Sequence, residues 1–207
     1  MKFKLLFSYR FLLFILSVLG VYLQLTKHGG FGMMLYYTIL SNMLVMFFMG
    51  DMVWRMLRGR STQTQSYLRM KGAVTMAIMI TFVIYHFMLA PLATPEKFYR
   101  LENFLCHYIV PLMFFFDTLV IDKAKQYRKL DPFLWTLIPL AYMLFALLNG
   151  LVLKWPIPGA KDSPFAYFFI NVNKYGWAFV GKWVVIIFIA YLLAGYVLYG
   201  IKNIKRK

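Results

Sequence analysis

The sequence places two residues whose types suit nucleophilic chemistry inside apolar stretches, Thr38 and His107. A threonine hydroxyl is a weak nucleophile until a neighbouring base accepts its proton, and an imidazole can be that base. Such a pair attacks a carbonyl carbon, and nearby N–H donors stabilise the oxyanion that develops. We therefore predict Thr38 as the nucleophile and His107 as the general base of a hydrolytic site.

Five more polar residues in the apolar stretches are candidates for binding a substrate at this site: Ser41, Asn42, His86, Asn103 and Asn149. Thr38, Ser41 and Asn42 follow the i, i+3, i+4 spacing of one helix face. Asn103 and His107 share a face by the same rule. Ser41 competes with Thr38 as the nucleophile, and either Asn42 or Asn103 could donate to an oxyanion.

A structural role is the main alternative for these residues. Thr and Ser hydroxyls in membrane helices usually bond to a backbone carbonyl or tighten helix packing. A histidine in such a helix is rarer, because an ionisable group in hydrocarbon costs about 3 kcal/mol or more without a partner. His86 and His107 are therefore stronger functional candidates than the hydroxyl groups taken alone.

The composition indicates a membrane protein. Of the 207 residues, 62% are hydrophobic and 14% are charged, and the mean hydropathy is +0.66. Several runs of about twenty apolar residues match the thickness of a bilayer. The net charge of +16 comes from Lys and Arg between those runs, which favours topology and lipid headgroups over a nucleic-acid partner. The predicted fold class is all-α and polytopic.

Six transmembrane helices are predicted, forming a single domain over residues 1–207. Their expected ranges are about 5–25, 31–54, 73–92, 103–121, 133–153 and 182–200. The apolar N-terminal run lacks a small-x-small cleavage site and is long for a signal peptide, so we assign it to the first helix. The long outer loop, residues 154–181, is rich in aromatic residues. Either an interfacial belt or a lid over the site would explain it.

The distribution of Lys and Arg predicts the orientation. The N-terminus, the second and fourth loops and the C-terminal tail are basic, so both termini are expected in the cytoplasm. The expected location is a cell membrane, the bacterial inner membrane. A rise of about 1.5 Å per residue then puts Thr38 roughly 10 Å below the outer surface. His86 and His107 fall roughly 7–9 Å below it, and Asn149 is at a similar level.

Other ionisable residues are expected away from this level. Asp117 is roughly 15 Å from His107 along the helix axis. It should pair with a basic residue at the cytoplasmic end or belong to a separate ion or proton site. Arg10 is expected to snorkel to the headgroups, and Asp51 to pair with Arg55 at i+4.

No metal site and no cofactor are predicted. A catalytic zinc ion needs about three protein ligands, and His86, His107 and Glu102 are the residues that could supply them. The HExxH spacing of many zinc enzymes does not occur in the sequence. The single cysteine, Cys106, excludes an internal disulfide.

Several segments resemble a bacterial group of small six-helix integral membrane proteins. They keep their order along nearly the whole chain: YYTILSN, TFVIYHFMLAP, CHYIVPLMFFFDTLV, WTLIPLAYMLFALLNG and SPFAYFFINVNKYGW. More distantly, the chain is similar to the androgen-induced family of multipass membrane hydrolases. These cleave fatty acid esters of hydroxy fatty acids with an intramembrane threonine and histidine. The resemblance implies that these residues are Thr38 and His107, the pair that the depth argument also selects.

The leading hypothesis is a membrane hydrolase that cleaves a fatty acyl ester near the outer leaflet, with membrane lipids as its partners. One alternative is a lipid or small-solute carrier with a path through His86, His107 and Asp117. No inverted repeat, which many carriers have, is evident in the sequence. The other alternative is a non-catalytic membrane partner that docks through its basic loops.

Overall fold

The structure is a computed structural model that describes residues 3–160 and 163–204. The described part of the chain is all-α, 82% helical and without strands. Within these described residues, six helices are long and apolar enough to cross a membrane: α1 (Phe3–His28), α2 (Tyr37–Leu57), α3 (Gln65–Leu92), α4 (Leu101–Ile121), α5 (Asp131–Leu153) and α6 (Val172–Asn203). The prediction of an all-α chain with six membrane-length helices is confirmed.

The start of α2 differs from the predicted boundary at residue 31. The chain leaves α1 through Gly29 and Gly30, whose φ angles of 136° and 61° are readily adopted by glycine. A 3-10 segment, Gly30–Leu35, follows. The extended conformation of Tyr36 then precedes α2. This boundary places Thr38 in the first turn of α2, where backbone N–H groups lack intrahelical acceptors.

Two other boundaries differ because polar residues extend the helices beyond their apolar stretches. Helix α3 begins at Gln65 instead of residue 73. Helix α6 begins well before residue 182, because the Asn171 side chain accepts a hydrogen bond from the Lys174 N–H at 3.1 Å and caps it. Gly176, with a φ of 78°, interrupts α6 near its start. The long loop therefore ends at residue 171 instead of 181.

Helices α3, α4 and α5 contain π-helical turns, in which the N–H of residue i+5 bonds the carbonyl of residue i. These turns are Tyr85–Leu89, Leu105–Ile109, Asp117–Ile121 and Asn149–Leu153. In α4 the Val110 N–H bonds the Leu105 carbonyl, and Pro111 has no N–H to donate. The Cys106 carbonyl therefore loses its usual helical donor and can accept from another helix.

The start of α1, the end of α6 and Asp117 of α4 lie at one end of the bundle, called here the terminal end. Arg10 bonds both oxygens of Asp117, at 2.9 and 3.0 Å, and lies 3.3 Å from Asp122. Lys71 pairs with both carboxylates. The prediction that Asp117 pairs with a basic residue is confirmed. The prediction that Arg10 snorkels is wrong, because its side chain is buried against these partners.

Two further contacts complete the terminal end. Asp51 and Arg55 form the predicted i, i+4 ion pair at 2.6 Å. Lys202 near the end of α6 donates to the carbonyls of Thr118 and Asp122, at 2.9 and 2.7 Å. A cation is favourable at a helix C-terminus, so Lys202 caps α4 and fastens α6 to it.

Between the ends, α1 to α4 share an apolar core whose members include Leu13, Val45, Met49, Ile78, Val110 and Phe114. Helices α5 and α6 meet where Gly195 faces Pro132. The Tyr191 hydroxyl of α6 also donates to the Trp135 carbonyl at 3.1 Å. Toward the opposite end of the bundle, the distal end, residues of the loop 154–171 pack between these two helices.

The loop 154–171 folds into the distal end. The ring of Phe165 lies so close to Gly150 of α5 that a Cβ atom at Gly150 would overlap it. The Tyr36 hydroxyl donates to the Pro158 carbonyl at 2.7 Å. Phe165 and Tyr167 are 2% and 9% exposed. The predicted interfacial belt therefore fits only the exposed aromatic residues, Trp155, Tyr175 and Trp177.

Candidate active site

Thr38 and His107 come together at the distal end and are called here the Thr–His pair. Thr38 Oγ1 lies 3.3 Å from Nε2 of His107, within the looser range that catalytic pairs show before substrate binds. Thr38 projects from the first turn of α2, and His107 from a π-helical turn of α4. The predicted pair is adjacent in space, and its catalytic role stays a prediction.

The other ring nitrogen of His107 determines its tautomer. Nδ1 lies 3.0 Å from the backbone carbonyl of Asn103. Because a carbonyl oxygen can only accept a hydrogen bond, Nδ1 carries the ring hydrogen, and Nε2 of the neutral imidazole is an acceptor. Nε2 therefore presents to Thr38 the lone pair that a general base needs.

Tyr85 of α3 covers one face of the imidazole. The two ring centroids are 3.8 Å apart, with an angle of 22° between the ring planes. The Asn103 amide donates to the Tyr85 hydroxyl at 2.6 Å and to the Phe98 carbonyl at 2.8 Å. Asn103 was predicted to bind substrate. In the structure its side chain holds Tyr85 and its carbonyl orients His107.

Tyr167 of the loop 154–171 contacts Thr38 at two atoms. The phenol oxygen lies 3.5 Å from Thr38 Oγ1 and accepts a hydrogen bond from the Thr38 N–H at 3.4 Å. This N–H lies in the first turn of α2, so it needs an acceptor from outside the helix. Burial raises the pKa of Tyr167 above its ordinary value of 10.0, which keeps the phenol protonated at neutral pH.

Ser41 and Asn42 connect α2 to its neighbours. Ser41 Oγ lies 2.7 Å from Thr81 Oγ1 and donates to the Thr38 carbonyl at 3.1 Å. Asn42 Nδ2 donates to the Thr38 carbonyl at 2.8 Å and, at 3.0 Å, to the Cys106 carbonyl that the π-helical turn releases. Both amide hydrogens of Asn42 are therefore engaged. Of the two competing hydroxyls, Thr38 is the one beside the imidazole.

His86 and Asn149 make their contacts away from the Thr–His pair. The exposed His86 has Nδ1 at 3.3 Å from the Tyr108 hydroxyl. The buried Asn149 donates to the Pro164 carbonyl and accepts from the Trp155 N–H, both at 3.1 Å, which fixes the loop 154–171 to α5. Within the described residues, neither side chain is hydrogen-bonded to Thr38 or His107, and their role in binding a substrate stays a prediction.

The Thr–His pair lies where two cavities meet. The distal cavity has a volume of about 290 Å³, and besides the pair it is lined by Gln24, Met33, Tyr36, Ile39 and Ala166. The apolar groove, of about 110 Å³, lies between α3, α5 and α6 and is lined by residues such as Ile80, Leu140, Met143, Val184 and Phe188. Thr38, Tyr85, Leu89 and Tyr167 line both. Thr38 therefore borders both a partly polar space and an apolar one.

Glu102, which we considered as a metal ligand with the two histidines, pairs with α1 instead. Its carboxylate lies 3.3 Å from Lys27 Nζ and 2.8 Å from His28 Nε2. Across residues 3–160 and 163–204, no three His, Cys, Asp or Glu side chains are grouped so that they could hold a metal ion. Glu102 thus fastens α1 to α4 at the distal end.

Tyr85 and Tyr167 were not among the predicted site residues. Tyr85 precedes His86 and follows Thr81 by four residues, about one turn of α3, and this helical spacing could have indicated it. Tyr167 lies in a loop without periodicity. No local pattern in the sequence indicates that its hydroxyl reaches the start of α2.

Comparisons with known proteins leave the family open. No protein-family model matches the chain, and no curated protein or solved structure is detectably similar to it. The resemblance to the bacterial six-helix group and to the androgen-induced hydrolases therefore stays a prediction from the sequence segments.

Proposed function

We propose that this protein is an integral membrane hydrolase that cleaves a lipid ester, with Thr38 as nucleophile and His107 as general base. The observation that carries the proposal is a chain of hydrogen bonds from Thr38 Oγ1 through the imidazole to the Asn103 carbonyl, with distances of 3.3 and 3.0 Å. A nucleophile, a base and a group that orients the base are the parts that hydroxyl activation needs.

The surroundings of Thr38 differ from those of two other threonines in the helices. Thr26 and Thr75 each donate to the carbonyl one helical turn earlier, at 2.8 Å. This is the usual structural role of a threonine in a helix. The Thr38 hydroxyl contacts an imidazole and a phenol instead, which supports a chemical role.

The reaction proceeds in two halves. His107 Nε2 takes the hydroxyl proton as Thr38 Oγ1 attacks the ester carbonyl carbon. The tetrahedral adduct collapses, the bond between the carbonyl carbon and the alcohol oxygen breaks, and the imidazolium returns its proton to the leaving alcohol. Water then attacks the carbonyl carbon of the acyl-threonine ester while the same imidazole takes its proton. The bond between that carbon and Thr38 Oγ1 breaks, the imidazolium returns the proton to Oγ1, and the fatty acid is released.

Tyr167 is the candidate donor to the oxyanion. Its phenol already lies 3.5 Å from the attacking oxygen, and it stays protonated because burial raises its pKa. The N-terminus of α2 adds a favourable electrostatic field at the same place. Neutral donors of this kind stabilise charge as it develops without having to reorganise.

The apolar groove supports a lipid as the substrate. Its walls are almost entirely hydrophobic side chains of α3, α5 and α6, and Thr38 is among the residues that line it. An acyl chain in this groove would place its carbonyl at the nucleophile. Because these helices are of membrane length, such a chain could enter directly from the bilayer.

The basic segments support a location for the reaction. If both termini are cytoplasmic, as the Lys and Arg distribution favours, the distal end faces the outer leaflet of the bacterial inner membrane. The Thr–His pair would then act on lipids of that leaflet. Membrane lipids are the proposed partners, and no nucleic acid is involved.

Substitution of the Thr–His pair tests the proposal in detergent-purified protein. Thr38→Ala and His107→Gln should each lower the turnover of a fluorogenic long-chain ester by about 10²-fold or more, with unchanged melting temperatures. A fluorophosphonate should add one mass increment to the wild type, mapped to Thr38, and none to either variant. Ester turnover that persists in Thr38→Ala would overturn the assignment.

Two matched variants serve as controls. Thr38→Ser keeps the hydroxyl and should keep measurable turnover and labelling. Ser41→Ala removes the neighbouring hydroxyl, which bonds Thr81 instead of the imidazole, and should leave labelling intact. Labelling that disappears in Ser41→Ala and persists in Thr38→Ala would identify Ser41 as the nucleophile.

A further inference from the structure

Gln24 of α1 lies on the helix face that packs against α4. Gly20, one turn earlier, contacts Cys106 so closely that an added Cβ would lie 3.1 Å from its sulfur. His28, one turn later, lies 2.8 Å from Glu102. Between these two contacts, the Gln24 side chain lines the distal cavity together with the Thr–His pair.

The side-chain amide of Gln24 has no hydrogen-bond partner among the described residues. The residue is only 8% exposed, and its side chain makes no hydrogen bond to any other residue within 3–160 and 163–204. Because Gln24 lines the distal cavity, its amide is available to bond a polar group that enters there. A glutamine at this position therefore indicates a polar group that occupies the cavity during function.

The other polar groups of the distal cavity already have partners. The Tyr36 hydroxyl donates to Pro158, and Tyr167 and His107 contact Thr38. The Tyr85 hydroxyl accepts from the Asn103 amide. The other described residues of the lining are apolar, and no Lys, Arg, Asp or Glu occurs among the lining residues that the structure describes. Gln24 is thus the lining side chain that makes no hydrogen bond within the described residues. Apart from the imidazole of His107, no described lining residue could carry a charge opposite to that of a carboxylate.

We infer that Gln24 binds the leaving alcohol of the substrate and that this alcohol is uncharged and carries a further hydroxyl, as glycerol does in an acylglycerol. This inference rests on the proposed function. With the acyl chain in the apolar groove, the alcohol side of the ester lies in the distal cavity, on the other side of Thr38. The glutamine amide can both donate to and accept from a hydroxyl.

The same geometry disfavours an ester whose leaving alcohol carries a carboxylate. A carboxylate that is taken out of water needs a cation or several donors. Among the described lining residues, the one amide that is not already hydrogen-bonded is that of Gln24. We therefore expect the enzyme to prefer 1-oleoylglycerol to the oleoyl ester of a hydroxy fatty acid at pH 7.5.

The hydrolytic test compares 1-oleoylglycerol with methyl oleate, whose leaving alcohol has no second polar group. Gln24→Leu should lower kcat/KM for 1-oleoylglycerol by about 10-fold, the worth of one neutral hydrogen bond, and leave methyl oleate unchanged. Thr26→Val, a polar-to-apolar change on the exposed face of the same helix, should affect neither ester. If Gln24→Leu changed both esters equally, or neither, the inference would be overturned while Thr38-dependent turnover still supported the proposed function.

A binding test does not depend on turnover. In the Thr38→Ala protein, the ether 1-O-hexadecylglycerol should raise the melting temperature, and Gln24→Leu in the same background should abolish that rise. Without the ether, Gln24→Leu should melt at or above the temperature of its parent, because the amide has no partner to lose. An equal rise in both proteins would show that the amide interacts only with water and would overturn the inference, whatever the outcome of the hydrolysis assays.

Discussion

Thr38 is fixed through two of its own groups, the backbone N–H and the hydroxyl. The N–H donates to Tyr167 at 3.4 Å, and the hydroxyl lies 3.3 Å from Nε2 of His107. Because the phenol also lies 3.5 Å from the hydroxyl oxygen, one loop residue holds the nucleophile before the reaction and lies beside the charge that develops during it. Tyr167 should therefore matter more for turnover than for folding.

Replacement of Tyr167 by phenylalanine tests this role. Tyr167→Phe should lower kcat by about 10²-fold, the usual cost of one oxyanion donor. The melting temperature should fall slightly, because the ring keeps its packing but the Thr38 N–H loses its acceptor. Burial raises the pKa of Tyr167 above 10.0, so its phenol stays protonated at lower pH. At every pH below the pKa of Tyr167, the Tyr167→Phe protein should therefore have a pH–rate profile of the same shape as the wild type.

The matched control for Tyr167→Phe is Tyr175→Phe. Tyr175 is 40% exposed and lies outside both cavities, so its hydroxyl should contribute nothing to kcat. Wild-type kcat in Tyr167→Phe would contradict the assigned role and leave the start of α2 as the source of oxyanion stabilisation.

Two irregular elements bring these residues together. The π-helical turn of α4 presents His107, and it releases the Cys106 carbonyl that Asn42 of α2 then binds at 3.0 Å. The loop 154–171 carries Tyr167 and is held by Phe165 against Gly150 of α5. The site therefore depends on deviations from regular helix geometry in one element and on a glycine in another.

Gly150→Ala tests how far the site depends on the packing of the loop 154–171 against Gly150 of α5. The added methyl group would overlap the ring of Phe165, and such overpacking typically costs about 1–3 kcal/mol. Because Tyr167 is only two residues further along, the shift should also lower kcat. Thermal melting and ester turnover of the same preparation measure the two effects.

Gly181→Ala is the matched control in α6. No atom of another element lies within 4 Å of a Cβ placed there, and alanine is the better helix former. This variant should melt at or slightly above the wild-type temperature with full turnover. If Gly150→Ala behaved in the same way, the loop would not be needed to position Tyr167.

The sequence was informative where periodicity applies and uninformative where it does not. Six apolar stretches were enough to predict the helices. Residue chemistry and a shared depth selected Thr38 and His107 as candidate partners, and the structure brings their side chains to 3.3 Å. The prediction failed for Arg10, because hydropathy does not show that a cation near a helix end has buried carboxylates to bind. The sequence did not indicate Tyr167 as a site residue, because packing contacts such as that of Phe165 with Gly150 determine the path of the loop.

Across the whole bundle, the buried charges and the reactive pair lie at opposite ends. Arg10, Lys71, Asp117 and Asp122 form a quartet of two cations and two carboxylates that joins α1, α3 and the end of α4. Buried ion pairs are costly to desolvate and contribute only when each charge keeps its partners. Because Asp117 is enclosed by Arg10 and Lys71, it offers little to the carrier hypothesis, which needs an accessible carboxylate.

Asp117→Asn should therefore act on stability and not on chemistry. Removal of one partner from a buried ion pair typically costs about 3–5 kcal/mol, and here two cations lose a shared carboxylate. The melting temperature in detergent should fall clearly, whereas the folded fraction should keep the wild-type kcat. Asp51→Asn is the control, because Asp51 and Arg55 are partly exposed, and the loss of such a surface pair should change the melting temperature little.

A second substitution separates the structural role of the quartet from a role in transport. Lys71→Met combined with Asp117→Leu removes one charge of each sign and leaves Arg10 with Asp122, which lie 3.3 Å apart. This double variant should recover part of the stability that Asp117→Asn loses, because hydrophobic groups of similar volume can replace a buried ion pair.

The carrier hypothesis predicts the opposite: Asp117→Asn would melt normally but lose substrate flux in proteoliposomes, and the double variant would restore nothing. If the Asp117→Asn protein had normal stability but no substrate flux, the terminal end would belong to a transport path. The result would then no longer support a hydrolytic role for the Thr–His pair.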